Sequence, residues 1–228
     1  MVEWQNTAKF EAAGLLNSTI LHLFGDWTSL LNNMMTTRGT REHLIEIGLK
    51  RIHAAGYTAT GVNEILELAE VPKGSFYHHF SSKEAFAIEV IQRYDSVEEQ
   101  RWNSFLGDAK VSPLKKLRRY FKEMVTIYGR RGLAAGCFLG NMSLEIAEHN
   151  PEIRAALRKS FNEWQNAIAK TIQEAIEQHE LPKTAKADIL AALVVNSWEG
   201  AQVRAKAEQS DKPLDLFFDL TFNLLLKN

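Results

Sequence analysis

The chain has 228 residues, 45% of them hydrophobic, with 13 glycines, 5 prolines and a formal net charge of −1. This composition excludes a disordered tail, and it leaves any affinity for DNA to a local patch rather than to a basic chain. A single cysteine excludes an intramolecular disulfide and fits a reducing cytoplasm, and no apolar run approaches the length that spans a bilayer.

Residues 1–37 stand apart. Leu15, Leu16, Ile20, Leu21, Leu23 and Phe24 make an apolar stretch that Asn17, Ser18 and His22 interrupt. It lacks the basic start, long apolar core and small-residue cleavage site of a secretory signal. The segment is read as an extension upstream of the natural start, with Met34-Met35 just ahead of the first patterned helix. An amphipathic arm packed on the body is the alternative.

From Arg41 to Ala55 the residues Leu44, Ile47 and Ile52 recur near helical spacing, and Gly56 follows as a C-cap glycine would. A second short helix starts at Thr60 or Gly61, with Asn63 or Glu64 at the capping-box distance. Val62, Ile65, Leu66 and Ala69 form its apolar face. A tight turn, Ala69-Glu70-Val71, leads into a helix placed from Pro72, which suits a first helical position. Phe76 and Phe80 lie one turn apart and anchor that helix to a core. Its other face offers Lys73, Tyr77, His78 and Lys83, with Gly74 and Ser75 small enough for close approach. Residues 71–83 hold two lysines, two histidines and no acid. Two short helices joined by such a turn form a helix-turn-helix, whose second helix enters the major groove. Lys73, Gly74, Tyr77 and His78 are assigned to the groove, and Thr60, Ser75 and Lys83 to phosphates. An ordinary surface helix is the plain alternative.

The rest of the chain reads as helices. A long one runs from Ser82 to about Phe105, with Phe86, Val90 and Tyr94 on one face. Ser112-Pro113 caps the next, and after a break at 129–136 a short helix covers Cys137 to Glu148. Asn150-Pro151 starts another long one, bearing Ile153, Leu157, Phe161, Trp164, Ile168 and Ile172. After Leu181-Pro182, helices from Thr184 to about Gln209 and from Pro213 onward close the chain. Their broad apolar faces suit pairing with a second copy across a two-fold axis, which a reader of short half-sites needs.

The order of these helices resembles the TetR family of transcriptional repressors. The resemblance is carried by Gly56-Tyr57, Ile65, Ala69, Val71, Lys73-Gly74, Tyr77, His79-Phe80 and Lys83-Glu84, across about residues 41–90. It implies a homodimer on a near-palindromic operator, released by an effector bound in the C-terminal half. Gly136-Cys137-Phe138-Leu139-Gly140-Asn141 and Gly200-Ala201-Gln202-Val203-Arg204-Ala205-Lys206 are similar to the electrophile-sensing members, the NemR-like repressors. That similarity implies a reactive thiol at Cys137, with Lys206 as its cationic neighbour. Position alone points the same way: a helix start favours a thiolate, Arg130 and Arg131 are near in sequence, and Gly132, Gly136 and Gly140 open the backbone. A lone cysteine serving as a buried small hydrophobe is the competing reading. Tyr128, Asn141, Trp164, Trp198 and Gln202 are expected to line the effector pocket, and Glu199 is a further hydrogen-bonding candidate.

The sequence thus describes an all-α protein. Residues 38–83 form a three-helix DNA-binding domain with the helix-turn-helix, and 84–228 an effector-binding and dimerisation domain. The expected partners are operator DNA, a second copy, and a small-molecule or electrophile effector; neither membrane nor cofactor is called for. Histidine spacing matches no metal site, and no phosphate loop or nucleophile elbow supports an enzyme. Reversible binding of an apolar ligand, and a helical protein-binding adaptor, are the alternatives.

Overall fold

The computed structural model describes residues 39–131 and 135–226, and every described element is helical. These residues fall in two compact units, one ending at His43 and the other beginning at Leu44. Of the first unit, residues 39–43 are described and are helical. The expected extension at 1–37 lies outside the described residues.

The second unit opens with a helix over residues 44–55 (α1). Gly56 ends it at φ +92°, a backbone conformation that favours glycine, with Glu145 Oε1 2.5 Å from where a Cβ would sit. Val62–Leu68 (α2) follows, then Glu70 at φ 55° makes the turn. The next helix is shorter than expected. Pro72 does not begin it: the Ser75 N–H bonds to the Pro72 carbonyl in a tight turn, and the helix proper is Ser75–His79 (α3). Ser82 caps Lys83–Leu106 (α4), its hydroxyl accepting from the Ala85 N–H at 3.1 Å.

Pro113–Arg131 (α5), Phe138–Ile146 (α6) and Pro151–Glu177 (α7) come next. Cys137 is the N-cap of α6 rather than its first helical residue. Asn150 caps α7, its side chain accepting from Ile153 N at 2.8 Å. Ala187–Glu208 (α8) begins three residues later than the Thr184 start expected, and Lys212–Leu220 (α9) leads into a terminal π turn over Thr221–Leu225.

Two hydrophobic clusters hold the unit together. One joins α1, α2, α3 and the first half of α4 to Phe138, Leu139 and Met142 of α6 and to Ile153 and Leu157 of α7. Phe76, Phe80 and Phe86 meet there with ring centroids 4.8–5.2 Å apart, tilted or edge-on as aromatic quadrupoles prefer. The other cluster is built from α5, the C-terminal part of α7, α8 and α9, around Phe121 and Trp198.

Candidate functional site

The segment expected to read DNA is pinned from below and open above. Phe76 and Phe80 are buried, which turns Lys73, Gly74, Tyr77 and His78 outward; Tyr77 is 67% exposed. Ser75 is half-buried. Gly74 has an ordinary φ of −70°, and a Cβ added to it would meet nothing within 4 Å. The fold therefore does not require glycine here, and the residue leaves room for an approaching surface.

Two expected phosphate contacts are placed differently. Thr60 is 0% exposed and donates its hydroxyl to the Gly56 carbonyl at 2.6 Å, so its side chain closes the end of α1 instead of facing DNA. Lys83 donates to the Tyr57 carbonyl at 2.8 Å, with its ammonium 4.2 Å from the Tyr57 ring centre. Burial holds its pKa below the usual lysine value. In this structure Lys83 ties α4 to the turn after α1.

A cavity lies where the two clusters meet. His53, Tyr94 and Phe138 line it from one side, and Tyr120, Met124 and Trp164 from the other. Its volume is about 30 Å³, enough for one small group. Of the expected effector residues, Cys137, Tyr128, Trp164, Trp198 and Gln202 line it. Asn141 does not; its side-chain amide donates to the Ala135 carbonyl at 2.7 Å and holds the loop before α6. Lys206 is exposed, with its stem against Gly136, and is not among the cavity-lining residues. The side chains of Arg130 and Arg131, and Gly132, lie outside the described residues.

The thiol's surroundings reverse the charge that was expected. Cys137 Sγ accepts from the Gly140 N–H at 3.4 Å, as a helix cap does. Burial pushes its pKa well above the ordinary thiol value, and the neighbouring Glu199 carboxylate pushes it further. The helix start does not outweigh these, and Cys137 rests as a neutral thiol hydrogen-bonded to Glu199. Gly140 makes that approach possible: a Cβ there would lie 2.8 Å from Glu199 Oε2. Glu199 itself is raised by burial to about 7, and Asp95, also by burial, to about 6 against a 2.8 Å hydrogen bond from Ser160. Glu98 pairs with Arg101.

Sequence reasoning missed His53, Asp95 and Glu98. For Glu98 a signal existed, since it continues the buried stripe Phe86, Val90, Tyr94 at i+4 where an apolar residue belongs. His53 showed none, because its role comes from a contact 83 residues away. Its Nε2 donates to the Gly136 carbonyl at 3.0 Å, and its ring packs edge-on against Phe138. Glu145 makes a second link, accepting from the Thr58 N–H at 2.8 Å. Both ends of α6 thus hold on to the end of α1 and the turn that follows it.

Among the described residues no cluster of His, Cys, Asp or Glu could hold a metal ion, and no helix is long and apolar enough to cross a membrane.

Residues 44–90 match the family described as bacterial regulatory proteins, tetR family, and residues 113–220 match the tetracyclin repressor-like C-terminal domain. The chain is 37% identical over 193 residues to the HTH-type transcriptional repressor DhaR of Mycobacterium sp. (strain GP1), covering 84% of this chain and 95% of that protein. It is 30% identical over 183 residues to the HTH-type transcriptional repressor NemR of Escherichia coli (strain K12), covering 80% and 92%. The crystal structure of the reduced form of E. coli NemR superposes with a TM-score of 0.76 at 29% identity, over 81% of this chain and 96% of that one.

Proposed function

Since the chain belongs to the TetR family of bacterial regulatory proteins and is a DNA-binding transcriptional regulator, we propose that it is a cytoplasmic homodimer that represses at a near-palindromic operator. An effector entering the cavity beside α6 releases it. The observation that carries this reading is the direct attachment of the cavity wall to the DNA-reading core: α6 supplies Phe138 to both. An occupant that moved α6 would pull on the end of α1 through His53 and on the following turn through Glu145. A spacing change that disfavours the DNA-bound state by about 3 kcal/mol lowers operator affinity roughly a hundredfold.

Lys73, Gly74, Ser75, Tyr77 and His78 are the residues we assign to DNA, supported by their placement around the exposed face of α3. For the dimer, α8, α9 and the terminal π turn leave Leu193, Leu216, Leu220 and Leu224 exposed along one groove, an apolar strip of the kind that a second copy covers. The test is sedimentation and operator titration of Leu220→Glu beside the parent chain. Joint loss of dimer and of operator affinity is expected; a parent chain that binds operator DNA tightly as a monomer would overturn the reading.

A second reading, addition of an electrophile to Cys137, is favoured by the position of the thiol on the cavity wall. Its raised pKa makes reversible occupancy the leading account, because the thiolate is the nucleophile. A Cys137→Ser chain that no longer answers a quinone on DNA would reverse that order.

A further inference from the structure

We propose that the cavity takes a small protonated organic amine, its N–H groups held by Gln202 and Glu199, with Asp95 adding negative charge to the same wall, and its apolar body held by Tyr120, Trp164 and Trp198. The proposal rests on the reading above that this cavity is the effector site. Its basis is a buried amide oxygen without a donor, set among carboxyl groups, in a cavity whose wall also holds the unpaired Trp164 indole N–H. Gln202 is 2% exposed, and its amide nitrogen donates to Glu199 Oε1 at 3.4 Å. In its ionised form Glu199 only accepts, so that bond takes the amide nitrogen and leaves the amide oxygen of this cavity-lining residue over. That oxygen receives no hydrogen bond. A buried carbonyl without a donor is rare and costly, and a ligand N–H would satisfy it.

Charge points the same way. Three carboxyl groups line the cavity, and no lysine or arginine does among the described residues. Glu98 is neutralised by Arg101; Asp95 feels the opposing charges of Lys159 and Glu163 without forming an ion pair, and Glu199 has no ion-pair partner among the described residues. The lining residue able to carry positive charge, His53, spends its Nε2 on the Gly136 carbonyl. The other titratable groups facing Glu199 are Cys137 and Tyr94, both raised by burial and neutral near pH 7. An ammonium group supplies both the missing donors and the missing charge, and indole and phenol faces favour a cation further. The 30 Å³ of existing space suits a head group of one heavy atom. The apolar body would enter by displacing Met124, whose unbranched thioether adapts readily.

Binding should carry a protonic signature. Glu199, raised to about 7, is roughly half protonated at neutral pH, and a bound cation favours its carboxylate form. Amine binding at pH 7 should then release about half a proton from this group.

The experiment is calorimetry on the full chain without DNA, using three probes of one shape: 2-phenylethylamine, 2-phenylethanol and 3-phenylpropionate. The amine should bind at least about tenfold tighter than the alcohol, the carboxylate should not register, and repeats in buffers of different ionisation enthalpy should show proton release. Glu199→Gln should lose the tenfold advantage and the proton release while keeping the alcohol's affinity; Asp95→Asn serves as the second variant should that chain fail to fold. Binding by none of the probes, equal binding by the alcohol or the carboxylate, or an undiminished amine preference in the variants would overturn the ligand class. Operator release is scored separately: an amine that binds without releasing DNA keeps the ligand class and overturns the effector reading.

Discussion

The two hydrophobic clusters differ in how they draw on the chain. The C-terminal one is assembled from α5 and the helices from α7 onward. The DNA-reading one takes residues 44–91 and then reaches past α5 to recruit Phe138, Leu139, Met142, Ile153 and Leu157. The segment that carries the cavity's cysteine is therefore packed as part of the DNA-reading core. A boundary drawn at residue 83 separates in sequence what packing unites. This arrangement also gives a small cavity leverage, because interiors are close-packed and transmit displacement instead of absorbing it.

The largest expected effect tests that union. Phe138→Ala removes a ring packed against His53 and Tyr94 and should cost about 3–5 kcal/mol of stability. Ile172→Ala, fully buried in the other cluster, should cost about 2–5 kcal/mol. Denaturant unfolding would measure both. Operator titration of the folded fraction should separate them, with affinity lost in the first variant and kept in the second. Equal behaviour on DNA would mean that the two clusters act as one.

Next in size is the pH dependence that Glu199 imposes. Its folded pKa, about 7, stands above the ordinary 4.5, so the folded state binds its proton more tightly than the unfolded state. Its contribution to stability is then fully present below about pH 4.5 and is lost as pH rises through about 7. Glu199→Gln removes that loss. The variant should be more stable than the parent at pH 8, by up to about 3 kcal/mol for a shift of this size, with the gain vanishing near pH 4. Thermal melts across this range would check it, and a constant difference between the two chains would refute the buried-carboxylate argument.

The DNA-reading surface offers a smaller contrast, between two lysines that look alike in sequence. Lys73 stands exposed, whereas Lys83 is bonded to the Tyr57 carbonyl. Lys73→Ala should weaken operator binding by about 1–3 kcal/mol and leave the melting temperature unchanged. If Lys73 touches a phosphate, the salt slope should also fall by about one. Lys83→Ala should lower the melting temperature and leave the salt slope nearly intact. The reverse pattern would return Lys83 to the phosphates.

Local signals made most of the helices legible. Ser82, Asn150 and Pro113 marked three starts, and the 3.6-residue periodicity carried α4, α5 and α7. Thr60 was misread because a threonine before a helix looks like a free cap, while here the Gly56 carbonyl takes its hydroxyl. Pro72 was placed at a helix start on its missing N–H alone, yet its carbonyl closes a turn before Gly74 and Ser75. The cavity was half legible. Its aromatic residues and Gln202 showed through their faces, but the charge around Cys137 depends on Glu199, which lies 62 residues further on and reaches the thiol only in the folded chain, past Gly140. Sequence neighbours such as Arg130 and Arg131 suggested a positive setting; tertiary contact supplied a negative one.

The smallest effect isolates the link between the two regions. Glu145 accepts from the Thr58 N–H at 2.8 Å, so α6 holds the turn between α1 and α2 by a charge-assisted bond. Thr58 is exposed and water can replace the carboxylate, which limits the cost of Glu145→Ala to about 1 kcal/mol of stability. The informative quantity is the coupling between cavity and operator, measured as the ratio of operator affinities with and without a bound effector. With Glu145 gone, α6 pulls on the DNA-reading core through His53 and apolar contacts alone, and that ratio should shrink by a factor of about five for each 1 kcal/mol of coupling lost. Glu145→Gln, which retains an acceptor oxygen, should restore most of the ratio. A ratio unchanged in both variants would assign the transmission to Phe138 and its apolar neighbours, with the Glu145 contact reduced to a local tether of the turn.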